Sequence, residues 1–257
     1  MKLALRTCCW TLLLVVPLRA QAHPGRNVLE IRGHEQYVYF YPGAGYGPHR
    51  AVVFLPGDGG WRGFAVTMAE NMAAWGYDVY GVDTRRYLMS FSGTGGLNEA
   101  QVADDLRQFA AFARAQNKDQ VHLVGWSEGA GLSVVAASSP QNRSFFSGVI
   151  AVGLTERSIL ALRWKDLFSQ AVKRDPNEPS LDTANYVGKV SPLPLYVIAS
   201  THDEYVSPEA SRRLFAQARQ PKQLVMIDAG NHRYDGAHDR LFQALQKGLQ
   251  WIEQKAP

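Results

Sequence analysis

Short runs of apolar and β-branched residues alternate along this chain with longer stretches whose apolar positions recur every three or four residues. The runs at 28–32 and 37–41 predict an entry hairpin, and 51–55 predicts a short buried strand followed by a glycine-rich turn and a helix over 63–75. A strand over 77–82 and a helix over 99–115 come next. A strand beginning at Val121 then ends on Gly125, a helix runs to about 138, and a sixth strand covers 148–152. After a longer irregular passage, 195–199 and 223–227 read as strands, each followed by a helix, the first over 208–218 and the last to about 253. Strands alternating with helices predict an α/β domain whose mostly parallel sheet is flanked by helices on both faces. In such a sheet, sites form beyond the carboxyl ends of the strands, so the residues just after each strand are the ones to inspect.

Two segments stand apart from this alternation. Residues 1–22 read as a signal peptide: Lys2 and Arg6 supply a positive start, residues 10–18 a short apolar core, and Ala20-Gln21-Ala22 a small-x-small cleavage site. The apolar core is too short for a membrane span, which takes about 20 residues. A cleavable leader of this kind predicts a periplasmic or secreted protein whose working domain covers 23–257. The second segment, 154–194, interrupts the alternation after the sixth strand and reads as a short cap insertion. Its first part, 154–170, has a helical spacing of Leu160, Trp164, Leu167 and Phe168, and the polar stretch 173–181 with two prolines reads as a loop.

Charge and cysteine content remove several function classes. The chain carries a formal +4, but Lys2, Arg6 and Arg19 lie in the leader and no acid does, so the mature part is close to neutral. A nucleic-acid partner would need a basic face that survives cleavage, and no such run is present. Cys8 and Cys9 also lie in the leader. The mature chain therefore has no disulfide, no thiolate metal site and no cysteine nucleophile, and no cofactor or metal is expected.

The chemistry gathers at Gly125-Trp126-Ser127-Glu128-Gly129. Here G-x-S-x-G follows a buried-strand run and opens a small-residue helix, the context in which a serine is exposed at a sharp strand-to-helix turn. A serine nucleophile needs a base, and the base needs an orienting acid. After the strand at 195–199 comes His202-Asp203-Glu204, and after the strand at 223–227 comes Asp228-Ala229-Gly230-Asn231-His232. Asp203 is assigned as the orienting carboxylate, with Glu204 its neighbouring rival, and His232 as the general base and acid. His122 sits inside a strand, His202 precedes the last strand, and His238 opens the final helix, which makes each a weaker base candidate; Asp228 reads as structural. Acyl transfer also needs backbone donors for the developing oxyanion. Glu128 would supply one, and the turn Gly57-Asp58-Gly59-Gly60 the other, from Asp58 or else Gly59. Gly59, Trp61, Tyr87 and Trp126, with Phe91, are candidate pocket residues, and the Glu128 carboxylate is a candidate partner for a cationic substrate group.

The elbow, the order Ser127, Asp203, His232, and the strand–helix pattern over about 28–254 resemble the α/β-hydrolase superfamily. More narrowly, Gly57-Asp58-Gly59-Gly60-Trp61, Gly81-Val82-Asp83-Thr84-Arg85-Arg86-Tyr87-Leu88 and Gln101-Val102-Ala103-Asp104-Asp105-Leu106 resemble the VirJ/AcvB-type branch of bacterial virulence proteins. The elbow itself differs, with Trp126 and Glu128 where that branch is expected to hold tyrosine and phenylalanine. The resemblance implies a secreted or periplasmic serine hydrolase acting on aminoacyl, typically lysyl, esters of phosphatidylglycerol, hence a small-molecule or lipid ester partner at a membrane surface. Two other classes use the same residues: a peptidase or amidase with the same triad, and a non-catalytic envelope binding module on the same fold. Oligomeric state is not encoded in any of these patterns.

Overall fold

The computed structural model describes residues 24–46, 49–117, 120–162 and 179–256. The expected leader at 1–22 lies outside them, as do Trp164, Leu167 and Phe168 of the expected cap helix. Among the described residues, no helix is long and apolar enough to cross a membrane.

Among the described residues, ten strands and seven α-helices follow in chain order. They are β1 (Gly25–Ile31), β2 (His34–Tyr41), β3 (Arg50–Leu55), α1 (Phe64–Ala74), β4 (Tyr77–Val82), α2 (Thr84–Phe91), α3 (Glu99–Asn117), β5 (Val121–Trp126), α4 (Glu128–Ser138) and β6 (Phe146–Val152). The second half contains β7 (Arg157–Ile159), β8 (Ser180–Asp182), α5 (Ala184–Val187), β9 (Leu195–Ser200), α6 (Pro208–Gln217), β10 (Lys222–Ile227) and α7 (His238–Lys255). Eight strands form one sheet in the order β1-β2-β4-β3-β5-β6-β9-β10. The β1–β2 and β2–β4 pairs are antiparallel and every other pair is parallel.

The central strands are near-continuous apolar runs because both faces are covered. In β3, Ala51, Val53 and Leu55 pack into one buried cluster with residues of α3 and α4, while Val52 and Phe54 pack into the other with residues of α1 and α7. This alternation follows from the two-residue period of a strand. The chain winds from β3 to β4 in one direction and then crosses back to β5 on the far side of β3. The direction of winding therefore reverses between β3 and β5, and in sheets of this kind that reversal is where a binding crevice forms, beyond the carboxyl ends from which the residues after Leu55 and Trp126 emerge.

Helix α2, which the sequence reading left unnamed, buries Thr84, Tyr87, Leu88 and Phe91 at the i, i+3, i+4, i+7 spacing of one helical face. It starts because the Asp83 carboxylate accepts from the Arg86 backbone N–H, a side-chain cap on the first turn. The expected helix at 154–170 is corrected over its described part: Arg157–Ile159 is a strand that pairs antiparallel with β8. Its backbone partners are distant in sequence. The Ile159 N–H donates to the Glu128 carboxylate at 2.9 Å, the Leu160 N–H to the Pro179 carbonyl at 2.7 Å, and the Leu160 carbonyl accepts from the Leu97 N–H. Such non-local bonds override a short helical spacing of leucines.

One polar network ties the entry hairpin to the helices on that face. Arg32, in the β1–β2 turn, donates to Asp105 on α3 from Nε, shared between both carboxylate oxygens, and from Nη2, and its guanidinium lies 3.8 Å from the Phe91 ring centre. The Tyr87 hydroxyl donates to the same carboxylate at 2.8 Å. Burial pushes the Asp105 carboxyl above its usual range, and the contacts with Arg32 and Tyr87 oppose that rise. Removing the acceptor would leave a guanidinium and a buried hydroxyl without it. Asp105→Ala is therefore expected to lower unfolding free energy by about 3 kcal/mol, and Asp105→Asn by less because an acceptor remains. Urea unfolding of the two variants checks this, and an Asp105→Ala midpoint equal to that of the wild type would contradict it.

Candidate active site

Ser127 occupies the left-handed region, with φ 57° and ψ −124°, one of three described non-glycine residues at positive φ. Such a conformation costs a β-carbon-bearing residue about 1–2 kcal/mol and persists only where its surroundings hold it. Here the Ser127 N–H donates to the Val152 carbonyl at 2.9 Å and its carbonyl accepts from the Ala130 N–H at 2.8 Å, so strand pairing and helix start both fix it. The flanking glycines have a steric reason. A methyl at Gly125 would lie 2.2 Å from the Gly129 carbonyl oxygen, and one at Gly129 would lie 2.0 Å from that of Leu55. Helix α4 thus crosses β5 and β3 with no room for a side chain at either position.

The turn after β3 comes up against the same serine. A β-carbon at Gly57 would stand 3.1 Å from Ser127 Cβ and 3.5 Å from its Oγ. Asp58 and Gly59 follow directly and are both exposed, and the Gly60 N–H closes the turn on the Gly57 carbonyl at 3.1 Å.

Asp203 and His232 meet across the ends of β9 and β10. His232 Nδ1 lies 2.6 Å from Asp203 Oδ2, and the two side chains are 6% and 0% exposed. The other carboxylate oxygen, Oδ1, accepts from the backbone N–H groups of Tyr205 and Val206, so the acid is held from two sides. The imidazole is wedged in place. Trp126 stacks against it with ring centres 6.4 Å apart, Tyr205 meets it edge-on at 5.1 Å, and a β-carbon at Gly153 would lie 2.7 Å from Cε1. Gly153 follows Val152, whose carbonyl holds the Ser127 N–H. The Ser127 backbone and the His232 imidazole therefore meet neighbouring residues at one strand end. Among the described residues His232 Nε2 is buried and has no hydrogen-bond partner.

The competing histidines lie elsewhere. His122 is buried in β5 with Nδ1 2.6 Å from Ser147 Oγ, and burial lowers its pKa from the usual imidazole value. His202 is mostly exposed, its Nδ1 close to the Ala229 carbonyl and the Asp228 carboxylate. His238 stacks on Phe64 at the start of α7. Asp228 is exposed and accepts from the Thr201 hydroxyl.

The candidate pocket residues divide. Trp126 borders His232, and Gly59 lies exposed in the turn after β3. The half-buried Trp61 ring stacks on Tyr39 at 5.1 Å and covers Gly81, where a methyl would stand 1.7 Å from it, so it packs on the antiparallel end of the sheet. Tyr87 is fully buried with its hydroxyl on Asp105, and Phe91 is 2% exposed in the same cluster, so both serve as core packing. The Glu128 carboxylate, 1% exposed and bonded to the Ile159 N–H, faces the β7–β8 ribbon and presents no surface to a cationic substrate. Two contributors escaped the sequence reading. Gly153 directly follows a strand, which was its only signal, and Glu204, weighed solely as a rival acid, instead accepts the His232 backbone N–H at 2.8 Å. Among the described residues, no group of three or more histidine, cysteine, aspartate and glutamate side chains is arranged to hold a metal ion.

This strand order, with a serine at a strained turn after β5 and an acid–histidine pair after β9 and β10, is that of the α/β-hydrolase fold. The chain belongs to the bacterial virulence protein (VirJ) family, whose profile matches residues 49–250. Among solved structures it is similar to Est1E from Butyrivibrio proteoclasticus, at 15% identity and a TM-score of 0.67 over 90% of this chain and 100% of that one. It is also similar to the α/β hydrolase GrgF from Penicillium sp. sh18, at 13% identity and a TM-score of 0.69 over 90% and 98%. The esterase domain of a Rhodothermus marinus protein gives 20% identity and a TM-score of 0.62 over 89% and 97%. These likenesses concern the fold. YfhR of Escherichia coli (strain K12) is 35% identical over 63 residues, 24% of this chain, so that the chain spans about a fifth (22%) of that relative.

The glycine contacts make a stability prediction that is independent of activity. Gly129→Ala is expected to cost about 3 kcal/mol or to prevent soluble folding, because the clash is with backbone. Gly59→Ala meets nothing within 4 Å and is expected to shift stability by less than about 0.5 kcal/mol. Soluble yield and thermal midpoints of the pair check this, and equal behaviour would contradict the packing described.

Proposed function

We propose that this protein is a serine hydrolase that cleaves a carboxyl ester through an acyl-enzyme. The observation that carries this reading is the His232 imidazole, fixed by Asp203 at Nδ1, with a buried Nε2 that has no hydrogen-bond partner among the described residues; the ring packs on Gly153, the residue after the one that holds the N–H of Ser127, itself at positive φ. A buried polar atom without a partner costs about 1–3 kcal/mol and calls for a reason. A base awaiting its proton supplies one. No hydrogen bond joins Ser127 Oγ to His232 among the described residues, and in sites without substrate this bond is often long and tightens on binding.

The steps follow from the groups present. Ser127 Oγ attacks the ester carbonyl carbon while its proton passes to His232 Nε2, and Asp203 holds the ring and stabilises the imidazolium. The carbonyl π electrons move to oxygen, and the N–H groups of Asp58 and Glu128 receive the resulting charge; a donor of this kind is worth about 10²–10³ in rate. Collapse of the tetrahedral intermediate breaks the bond to the alcohol, which leaves with the proton from His232. Water, deprotonated by the same imidazole, then attacks the acyl-serine and releases the acid and Ser127. No residue here requires a cofactor.

The VirJ family membership supports a narrower substrate, an aminoacyl and typically lysyl ester of phosphatidylglycerol, met at a membrane surface. The leader-like residues 1–22 support a periplasmic or secreted location, and 154–194 is the segment that would cap the site. Turnover of p-nitrophenyl butyrate by Ser127→Ala is expected to fall by about 10³ or more with an unchanged circular dichroism spectrum; a variant within tenfold of wild type would contradict the reading. For the narrower substrate, a bacterial lipid extract incubated with wild type is expected to lose aminoacylated phosphatidylglycerol and to keep it with Ser127→Ala. Loss of a different ester species would overturn the aminoacyl assignment alone.

A further inference from the structure

The loop that carries His232 is bonded mostly to itself. The Gly230 N–H donates to the Asp235 carbonyl, the Tyr234 N–H to the Asn231 carbonyl, and the Arg233 and Asp235 N–H groups to Asn231 Oδ1. Asn231 Nδ2 donates to the Asp235 carboxylate at 2.7 Å, and Tyr234, at φ 60°, anchors the loop through its hydroxyl to the Ile198 carbonyl. The His232 N–H instead leaves the loop and donates to Glu204 Oε2 at 2.8 Å. Glu204 directly follows Asp203, so two consecutive acids hold one histidine, Asp203 by its ring and Glu204 by its main chain.

A ring bonded only at Nδ1 can still swing about that bond if its backbone shifts. Holding the main-chain N–H as well turns one fixed point into two, and Nε2 then has a single place to stand. Tyr205, 57% exposed, continues the same stretch and meets the imidazole edge-on. Glu204 is itself exposed, so it faces solvent rather than filling a core space whose loss would unfold the domain.

We propose that Glu204 is a positioning residue for the general base: its carboxylate oxygen, by accepting the His232 backbone N–H, holds Nε2 within reach of Ser127. This rests on the reading of His232 as that base. Misplacement by about 1 Å can cost on the order of 10²-fold in rate, so the effect belongs on turnover and not on binding. Glu204→Gln keeps an acceptor oxygen on the same stem, whereas Glu204→Ala removes it.

The test is steady-state hydrolysis of p-nitrophenyl butyrate by full-length wild type, Glu204→Ala and Glu204→Gln, with thermal midpoints measured alongside. The expected result is a kcat lowered about 10- to 100-fold in Glu204→Ala, with KM changed less than about threefold and the midpoint within a few degrees of wild type. Glu204→Gln is expected to recover kcat to within about fivefold of wild type. A Glu204→Ala kcat within twofold of wild type would overturn the proposal, as would a Glu204→Gln enzyme as slow as Glu204→Ala, since the acceptor would then not be what matters. A loss confined to KM would overturn it too. Absence of Ser127-dependent turnover in the wild type would instead overturn the hydrolase reading, and this proposal with it, so the two failures are told apart.

Discussion

The crossing of α4 over the ends of β5 and β3 is the constraint on which the rest of this structure depends. The helix leaves the sheet so closely that glycine is demanded at 125 and 129, and the residue between them is forced to positive φ. Strand pairing through Val152 and the first helical turn at Ala130 keep Ser127 in that conformation. The turn after β3 comes against the serine at Gly57, the residue before Asp58. The strain at one residue is thus maintained by the packing of an entire helix.

Around that fixed point the remaining groups arrive on loops that follow neighbouring strands. The parallel sheet sends the ends of β6, β9 and β10 to the same rim as those of β3 and β5, so Gly153, Asp203 and His232 converge there although they are far apart in sequence. Each loop is stiffened by its own polar contacts: Asp203 by two backbone N–H groups, the histidine loop by Asn231. Rigid placement of this kind lets a site act without reorganising at the moment of reaction.

Much of this was legible in the sequence, and the reasons are physical. Strands buried on both faces write themselves as unbroken apolar runs, so β3, β5, β6 and β9 stood out, and the residues just after them gather at one rim of the sheet. What escaped was set by contacts between distant residues. The strand at Arg157–Ile159 exists because its backbone bonds reach Glu128, Pro179 and Leu97, which no local spacing of leucines encodes. Trp61 and Tyr87 are aromatic and close in sequence to site motifs, but their partners turned them into packing: Gly81 offers a flat floor for one, Asp105 a buried acceptor for the other. Glu204 was read by its carboxylate chemistry, whereas its contact is to a main-chain N–H that a sequence does not display.

The central claim is that Ser127 is a nucleophile made reactive by His232. Its most direct test is covalent: treat the purified protein with a fluorophosphonate and map the adduct by mass spectrometry of its peptides. The account predicts one phosphonyl group, on Ser127, formed slowly or not at all in His232→Ala. An adduct on another residue, or labelling of Ser127 that proceeds at the wild-type rate without the imidazole, would contradict it.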